Sequence, residues 1–237
     1  MQPWVKMGAI AGAVGLVSLA VWRFFNPGPE SNPIIADGGE SVVILPFSEI
    51  TSFSDLPLGW AVEQILMRPP MGLSWREKDG VPSLRCETNA GGSTLSRTAE
   101  VEIGDYPILV WNWRVDIPIS SPADEATPEG DDHPIRLVFD ITDQDGNESS
   151  FQIIWSNRKY QPGEYKYIGG IPQYVAGGLD ENIRTWQAQE LDLMDVYREI
   201  TGRDDYPLLT RAGLLCDSDN TGSRSVAFIT DVELRQR

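Results

Sequence analysis

The sequence predicts a mostly β protein: a jelly-roll-like β-sandwich with one short helix, preceded by an N-terminal membrane anchor helix. Some ten short segments rich in β-branched and aromatic residues alternate with turn residues, which is typical of antiparallel sheets. A single segment has helical periodicity. The sequence shows no internal repeat with a period of about 20–50 residues, which argues against a propeller or a solenoid.

Residues 1–25 are predicted to be a signal anchor or a signal peptide. An apolar run from Met7 to Trp22 lies between Lys6 and Arg23. Ser18-Leu19-Ala20 is the candidate cleavage site, and cutting there would shorten the apolar run, so we favour an uncleaved anchor. The predicted location is the cell envelope, with a single-pass inner-membrane anchor and a periplasmic domain, or a secreted domain if the segment is cleaved.

Residues 26–40 are rich in Pro, Gly, Asn and Ser and are predicted to be a flexible linker. Residues 41–237 are predicted to be one β-sandwich domain, because about 200 residues can bury a single sizeable core. The predicted strands in chain order are Ser83–Thr88, Ser93–Val101, Pro107–Val115, Ile135–Thr142, Ser149–Ser156, Leu208–Cys216 and Ser225–Leu234.

Two local signals support this order. Asp145-Gly146 lies between two apolar runs, which is a hairpin signal. Leu193, Val196, Tyr197 and Ile200 follow helical spacing, and Gly202 is placed to end that helix. The segment from 116 to 134 contains several prolines and acidic residues and is predicted to be a loop.

The formal net charge of −16 excludes a nucleic-acid partner, because phosphates require a basic surface. A neutral ligand or a cation fits this charge better. Cys86 and Cys216 are too few for a disulfide framework. They could form one bridge in an exported chain, or be small buried thiols, and the sequence leaves both possibilities open.

The segment after the penultimate strand has alternating oxygen-bearing residues before Gly222, as a calcium loop does. The predicted metal ligands are Asp217, Asp219, Asn220 and Thr221, and the predicted ion is calcium. Position 228, where an EF-hand would need Glu, is Phe, so an EF-hand is excluded. An Asp-rich turn that binds its own backbone is the alternative, and it has more weight.

The single histidine, His133, follows two aspartates, an arrangement that could make it a general base. No serine or cysteine has the sequence context of a nucleophile, and zinc would need more His or Cys ligands. We therefore expect a structural role for His133. No spacing singles out a pair of carboxylates for glycoside hydrolysis.

Aromatic rings near polar side chains are typical of sugar-binding surfaces, because they combine stacking with hydrogen bonds to hydroxyls. Trp111 and Trp113 share one face of a strand, which we assign to the core. Trp155 and the tyrosines at 160, 165, 167 and 174 could belong to the core or to a ligand site. The predicted ligand-binding residues are Asp131, Asp132, Arg136, Trp155, Asn157 and Trp186.

The last two strands, around Gly213–Gly222 and Ala227–Leu234, are similar to the end of carbohydrate-binding jelly rolls. Six segments occur together in order: Trp111–Val115, Gly130–Asp140, Ile154–Arg158, Trp186, Asp195–Arg198 and Asp217–Gly222. Together they resemble the bacterial family named domain of unknown function 3047, over residues 45–235. The resemblance implies a β-rich envelope domain without an established activity, and His133 departs from the aromatic or apolar residue more common there.

The leading functional hypothesis is a membrane-tethered, noncatalytic binding module for a neutral glycan or another envelope component. Trp155 and Trp186 would stack on the ligand and Arg136 would orient it. A glycan-active hydrolase or lyase, with Asp131 or Asp132 opposite Asp217 or Asp219, is the first alternative. A structural or assembly protein that docks an envelope protein is the second.

Overall fold

The computed structural model describes residues 32–237, which form two β-sheets packed face to face and one α-helix. The first sheet contains β1 (Ile34–Ile35), β3 (Trp60–Gln64), β6 (Gly92–Glu102), β8 (Arg136–Thr142), β9 (Glu148–Ser156), β10 (Tyr165–Ile168), β11 (Ile171–Gly178) and β13 (Leu208–Asp217). The second contains β2 (Ser41–Leu45), β4 (Gly72–Lys78), β5 (Val81–Asn89), β7 (Ile108–Ile117), β12 (Gln187–Asp192), β14 (Arg224–Ile229) and β15 (Val232–Arg235). The mostly β, sandwich-like prediction is confirmed.

The strands cross the first sheet in the order β1, β6, β13, β8, β9, β11 and β10, with β3 also paired to β6. Most neighbours are antiparallel, but β11 runs parallel to β9 and β1 runs parallel to β6. In the second sheet β7 is central. It pairs with β12 along one edge and with β14 and β15 along the other. The edges formed by β10 and β12 therefore belong to different sheets, and the helix follows β12 in the chain.

Most predicted strands agree with the structure, with one correction at the C-terminal end. The segment predicted as one strand, Ser225–Leu234, is two strands, because Thr230 and Asp231 interrupt it. The Thr230 backbone N–H donates to Asn112 O (3.0 Å), and the Asp231 carboxylate accepts from Ser48 N (2.9 Å). Before this break, β14 pairs with β7 and β5. After it, β15 pairs with β7 and β2.

The predicted helix is confirmed as α1 (Leu193–Thr201). Asp192 caps its N-terminus by accepting the N–H of Met194 (2.9 Å), and Gly202 ends it in the left-handed conformation at φ 68°. The predicted hairpin is confirmed as well: β8 and β9 are antiparallel, and Gly146 has φ 82°. Three short 3₁₀ turns lie at Phe47–Glu49, Pro128–Gly130 and Asp180–Asn182.

The core lies between the two sheets. Trp111 and Trp113 of β7 are at most 1% exposed, and Trp113 packs edge-on against Trp155 of β9 at 5.8 Å between ring centroids. A disulfide joins Cys86 of β5 to Cys216 of β13 and so links the sheets covalently. Of the two possibilities left open by the sequence, the structure shows the bridge.

The predicted anchor, residues 1–25, lies outside the described residues. From residue 32 onward, no helix has both the length and the apolar character needed to cross a membrane. Within the predicted linker, Ile34–Ile35 pair with Ala99 and Glu100 of β6, and the Asn32 side chain donates to Leu58 O (3.3 Å).

Candidate functional site

A group of buried or nearly buried ionisable side chains lies where β8, β10 and β13 meet the loop before β8. We call it the charged network. Its members are Glu125, Asp131, Asp132, His133, Arg136, Lys166 and Asp217. Sheet register brings the centre together, because Arg136 of β8 lies opposite Leu215 of β13, two residues before Asp217 on the same face.

Arg136 is the central cation and is 2% exposed. One guanidinium nitrogen donates to the Asp217 carboxylate and to Asp131 O (2.6 Å), and the other donates to Gln152 Oε1 (2.9 Å). Burial opposes the charge, but Asp217 and Asp131 raise the pKa of Arg136 overall. Burial raises the pKa of Asp217 to about 6, and Arg136 limits that rise.

Asp131 is held from the hairpin formed by β10 and β11. Lys166 Nζ lies 2.7 Å from Asp131 Oδ1, and Gln173 Nε2 donates to both carboxylate oxygens at 3.1 and 3.2 Å. Burial alone would raise the pKa of Asp131, but the charges of Arg136 and Lys166 hold it well below its usual range. The carboxylate is therefore ionised and fully engaged by protein donors.

The Glu125 side chain connects the loop before β8 to the segment after β9 through hydrogen bonds. Its carboxylate accepts the backbone N–H groups of Asn157 (2.5 Å), Arg158 (3.0 Å) and Lys159 (2.7 Å). Burial opposes ionisation, yet these donors lower the pKa of Glu125 overall. Buried charges paired in this way hold the loop in one conformation.

His133 is fully buried, and its Nδ1 donates to Trp155 O at 2.7 Å. Its Nε2 lies 3.5 Å from Asp131 Oδ1. Burial lowers the pKa of His133 to about 4, so the imidazole is neutral near pH 7. A fully buried ring offers no access to a substrate, which agrees with the expected structural role.

Asp132, Asp217 and Asp219 each place one carboxylate oxygen within 4.8 Å of the others. Asp132 already accepts the N–H groups of Asn220 (3.2 Å) and Thr221 (2.7 Å), and Asp217 accepts from His133 N (3.0 Å). Two of the predicted calcium ligands thus contribute backbone N–H groups here, as expected of an Asp-rich turn. Calcium binding stays a prediction.

The predicted ligand-binding residues divide into three groups. Asp131, Asp132, Arg136 and Asn157 are brought together, and Asn157 Nδ2 donates to Asp132 O (2.8 Å). Trp155 is 1% exposed in the core, where its ring cannot stack on a ligand, which corrects that prediction. Trp186 is half-buried and donates through Nε1 to Lys78 O (3.2 Å). Most polar groups of the cluster bond to other protein groups, while His133 Nε2, Arg136 Nε and Asn157 Oδ1 are buried without a hydrogen-bond partner among residues 32–237.

The hydrolase or lyase hypothesis placed Asp131 or Asp132 opposite Asp217 or Asp219. Asp132 is 0% and Asp217 is 6% exposed. The cavity beside the network, lined by Glu125, Asn157 and Thr221, measures about 10 Å³, which is room for about one water molecule. A sugar ring cannot enter that cavity, and none of the four aspartates lines it.

An open crevice lies on the opposite face of the same β10–β11 hairpin, and we call it the hairpin–helix crevice. It comprises two cavities of about 470 and 460 Å³. The first is lined by Gly163, Tyr165, Tyr174, Leu191, Asp192, Asp195, Val196 and Glu199. The second is lined by Glu148–Ser150, Tyr167, Gly169–Pro172, Ile200 and Thr201.

The two cavities lie end to end along one wall of paired residues. Tyr165 pairs with Tyr174 across the hairpin, and Tyr167 pairs with Pro172 two positions further on, so both pairs share one face. On the other wall, Glu199 of the first cavity directly precedes Ile200 of the second in α1. Both cavities are therefore lined by residues of the hairpin and of α1, with no lining residue in common.

Three tyrosines give the crevice its aromatic surface. The rings of Tyr165 and Tyr174 meet edge-to-face at 5.1 Å between centroids, and both are half-buried, while Tyr167 is 58% exposed. Within residues 32–237, the hydroxyl groups of all three make no hydrogen bond to another residue. Burial, Tyr174 and Glu199 raise the pKa of Tyr165 to about 12, so its hydroxyl keeps its proton at neutral pH.

A cavity of about 530 Å³ near the C-terminus has less suitable walls. Its one aromatic ring, Tyr106, is 5% exposed, and its hydroxyl donates to Gly39 O (3.0 Å). That ring has neither a free face nor a free hydroxyl for a ligand. The hairpin–helix crevice has both.

The sequence interpretation left Tyr165, Tyr167 and Tyr174 undecided between core and site, and the strands β10, β11 and β12 were not predicted. Two signals were present: the alternation of Tyr165 and Tyr167 around Lys166, and the Gly169-Gly170 turn that follows. The contribution of α1 to the same crevice has no local signal, because the helix is joined to the other sheet.

The family model described as "Protein of unknown function (DUF3047)" matches residues 59–233. A comparison of the sequence with curated proteins finds no match.

Solved structures similar to this chain include carbohydrate-binding modules. One is the family 11 module of the cellulosomal cellulase Lic26A-Cel5E of Clostridium thermocellum, with 7% identity, coverage of 80% of this chain and 94% of that one, and a TM-score of 0.41. A family 30 module has 10% identity, coverage of 89% and 95%, and a TM-score of 0.40. A family 28 module specific for non-crystalline cellulose has 14% identity, coverage of 86% and 99%, and a TM-score of 0.38. Similarity this distant transfers neither a ligand nor an activity.

Proposed function

The chain belongs to the DUF3047 family, and we propose that it is a glycan-binding module whose ligand lies in the hairpin–helix crevice. The carrying observation is the row of Tyr165, Tyr174 and Tyr167 along one wall, with free hydroxyl groups and accessible ring surface. Flat rings stack on the apolar faces of sugars, and unpartnered hydroxyl groups exchange hydrogen bonds with sugar hydroxyls.

The other wall supplies the polar half of such a site. Asp195 and Glu199 project from α1, and Ser149 and Ser150 line the second cavity from β9. Carboxylate and hydroxyl oxygens accept hydrogen bonds from sugar hydroxyls, which fixes the orientation of the ligand. Each of the two cavities, of about 470 and 460 Å³, falls within the range of small-ligand sites, which is about 300–1,000 Å³.

A glycan array with the full-length chain tests this function. We expect binding to a defined class of oligosaccharide, and we expect Tyr167→Ala to weaken it about tenfold by removing one stacking surface. Tyr206→Ala is the matched control, because Tyr206 is also 58% exposed but lies against Gly104, outside the crevice. A blank array with folded protein, or equal losses in both variants, would contradict the proposal.

The same proposal places the module outside the cytoplasm, held to the inner membrane by residues 1–25 or secreted after their removal. The Cys86–Cys216 disulfide supports it, because such bridges persist in oxidising compartments. We expect the full chain to fractionate with membranes and both cysteines to resist alkylation until reduction. Free thiols in protein isolated under alkylating conditions would contradict this location.

A further inference from the structure

The first cavity of the hairpin–helix crevice has acidic side chains and no basic ones among the described residues that line it. Asp192, Asp195 and Glu199 line it, and Asp192 is paired with Arg237 at 2.6 Å, which leaves Asp195 and Glu199 as the carboxylates that face a ligand. A neutral glycan does not need so many carboxylates beside stacking rings. The carboxylates in the lining therefore indicate that the ligand carries positive charge.

The carboxylates differ in how far they are neutralised. Asp195 lies 3.0 Å from Arg198, which Asp204 shares at 2.6 Å, and all three side chains are at least 40% exposed. Such exposed pairs contribute little and leave the charge available to a ligand. Glu199 forms no ion pair within residues 32–237 and faces the aromatic wall.

From these charges and rings we infer that the crevice prefers glycans bearing free amino groups over neutral glycans of the same linkage. This inference rests on the proposed function and specifies its ligand class. An ammonium group between the Tyr165 and Tyr174 rings and Glu199 gains a cation–π contact and a charge-assisted hydrogen bond together. A hydroxyl at the same place gains only a neutral hydrogen bond.

Two further observations support the charge preference. The proximity of Glu199 and Asp195 to the ring of Tyr165 is evident in the raised pKa of that tyrosine, to which both contribute after burial. The chain as a whole has a net charge of −16, which attracts a polycationic polymer and repels uronic, sulfated or phosphorylated ones.

Isothermal titration calorimetry with the full-length chain tests the inference. Three β-1,4-linked oligosaccharides of equal length are compared, bearing a hydroxyl, a free amine or an acetamide at C2. We expect the amine to bind about tenfold more tightly than the other two, from one cation–π contact and one ion pair. Near 0.5 M salt we expect most of this advantage to vanish, since the Debye length falls to roughly 4 Å.

Two variants separate the contribution of the ion pair to ligand affinity from that of the aromatic rings. Glu199→Gln should reduce the affinity for the amine toward that for the hydroxyl and leave the hydroxyl unchanged, whereas Tyr165→Ala should weaken all three ligands. Glu77→Gln is the matched control. Glu77 is likewise exposed and without an ion pair in the described chain, but it lies on β4, away from the crevice.

The outcomes distinguish the two proposals. Equal affinity for the three oligosaccharides would overturn the amine preference and leave the glycan-binding function in place. Binding of none would overturn both. Amine binding that Tyr165→Ala does not weaken, or equally tight Tyr165-dependent binding of a lysine oligopeptide of the same charge, would overturn the assignment of an amino-bearing glycan.

Discussion

The two faces of the β10–β11 hairpin differ in how deeply their polar side chains are buried and in whether ion pairs hold them, although Gln173 Oε1 on the buried face has no hydrogen-bond partner in the part of the chain that the structure describes. On one face, Lys166 and Gln173 reach Asp131 in the charged network, whose carboxylates accept hydrogen bonds from buried donors. On the other face, the hydroxyl groups of Tyr165 and Tyr174 have no partner in the described chain and border a crevice. Adjacent residues of one strand thus point into two different environments.

The residue types with the most reactive side chains lie mainly in the buried network, and the crevice that we propose as the site is lined by tyrosines and carboxylates. Asp132, His133 and Arg136 are the kinds of residue that build active sites, yet here they are buried and bonded to other groups of the protein, namely the N–H of Thr221, the carbonyl of Trp155 and the Asp217 carboxylate. The tyrosines have less conspicuous chemistry, but they keep unsatisfied groups and exposed surface. A binding site needs both of these properties.

The largest expected effect comes from removing the central cation. Arg136→Met leaves the buried Asp217 unpaired and should lower the free energy of unfolding by about 3–5 kcal/mol. Arg211→Met is the matched control on the same sheet face. Its ion pairs with Asp140 and Glu63 are 20–31% exposed, so about 1 kcal/mol is expected. Denaturant unfolding measures both.

If Arg136→Met fails to fold, the double variant Arg136→Met/Asp217→Asn tests the same point. It removes both charges, keeps an oxygen that accepts the His133 N–H, and should restore folding, because no buried charge is left unpaired. If the Arg136 and Arg211 variants lost the same free energy of unfolding, the buried ion pair would contribute no more to stability than the partly exposed ones.

The next effect is a pH dependence from the network. The pKa of His133 is lowered from 6.5 to about 4 in the fold, so below pH 6.5 the unfolded chain binds its proton first. The stability from neutral His133 is therefore full above pH 6.5 and is lost as pH falls toward 4, by about 3 kcal/mol in all.

Asp217 contributes the opposite slope in part of this window, because its pKa is raised to about 6. Comparison of the wild-type chain with His133→Gln isolates the histidine term, since the sequence contains one histidine. We expect the unfolding free energy of the variant to fall less between pH 7 and pH 4. Parallel curves for the two proteins would contradict a buried neutral histidine.

A smaller effect on stability is expected in the crevice. Tyr165→Ala should lower the unfolding free energy by about 1 kcal/mol, because the ring is half-buried, while glycan affinity falls about tenfold. Unfolding curves and calorimetry on the same preparation give both values. A large loss of stability without loss of binding would assign Tyr165 to the core.

The smallest expected effect concerns calcium. An ion among Asp132, Asp217 and Asp219 should raise Tm by about 2 °C in millimolar calcium relative to excess chelator, since protein donors already occupy two of the three carboxylates. Asp219→Asn should abolish that difference. Identical melting curves in calcium and chelator would end the calcium hypothesis.

Local patterns in the sequence determined much of the architecture. The spacing of Leu193, Val196 and Ile200 with Gly202 defines α1, and Asp145-Gly146 defines a hairpin, because both depend on neighbouring residues. The paired tryptophans of β7 were assigned correctly to the core, since period-two geometry places them on one face.

Tertiary structure decided which residues meet. Arg136 and Asp217 are 81 residues apart and depend on the register of β8 with β13, which no local pattern reveals. Trp155 and Tyr165 are both aromatic residues of the same region, but only the packing of the sheets buries one and leaves the other beside α1. The sequence determines the local preference for helix, strand or turn. The burial of a side chain and the groups that it contacts depend on packing between distant segments.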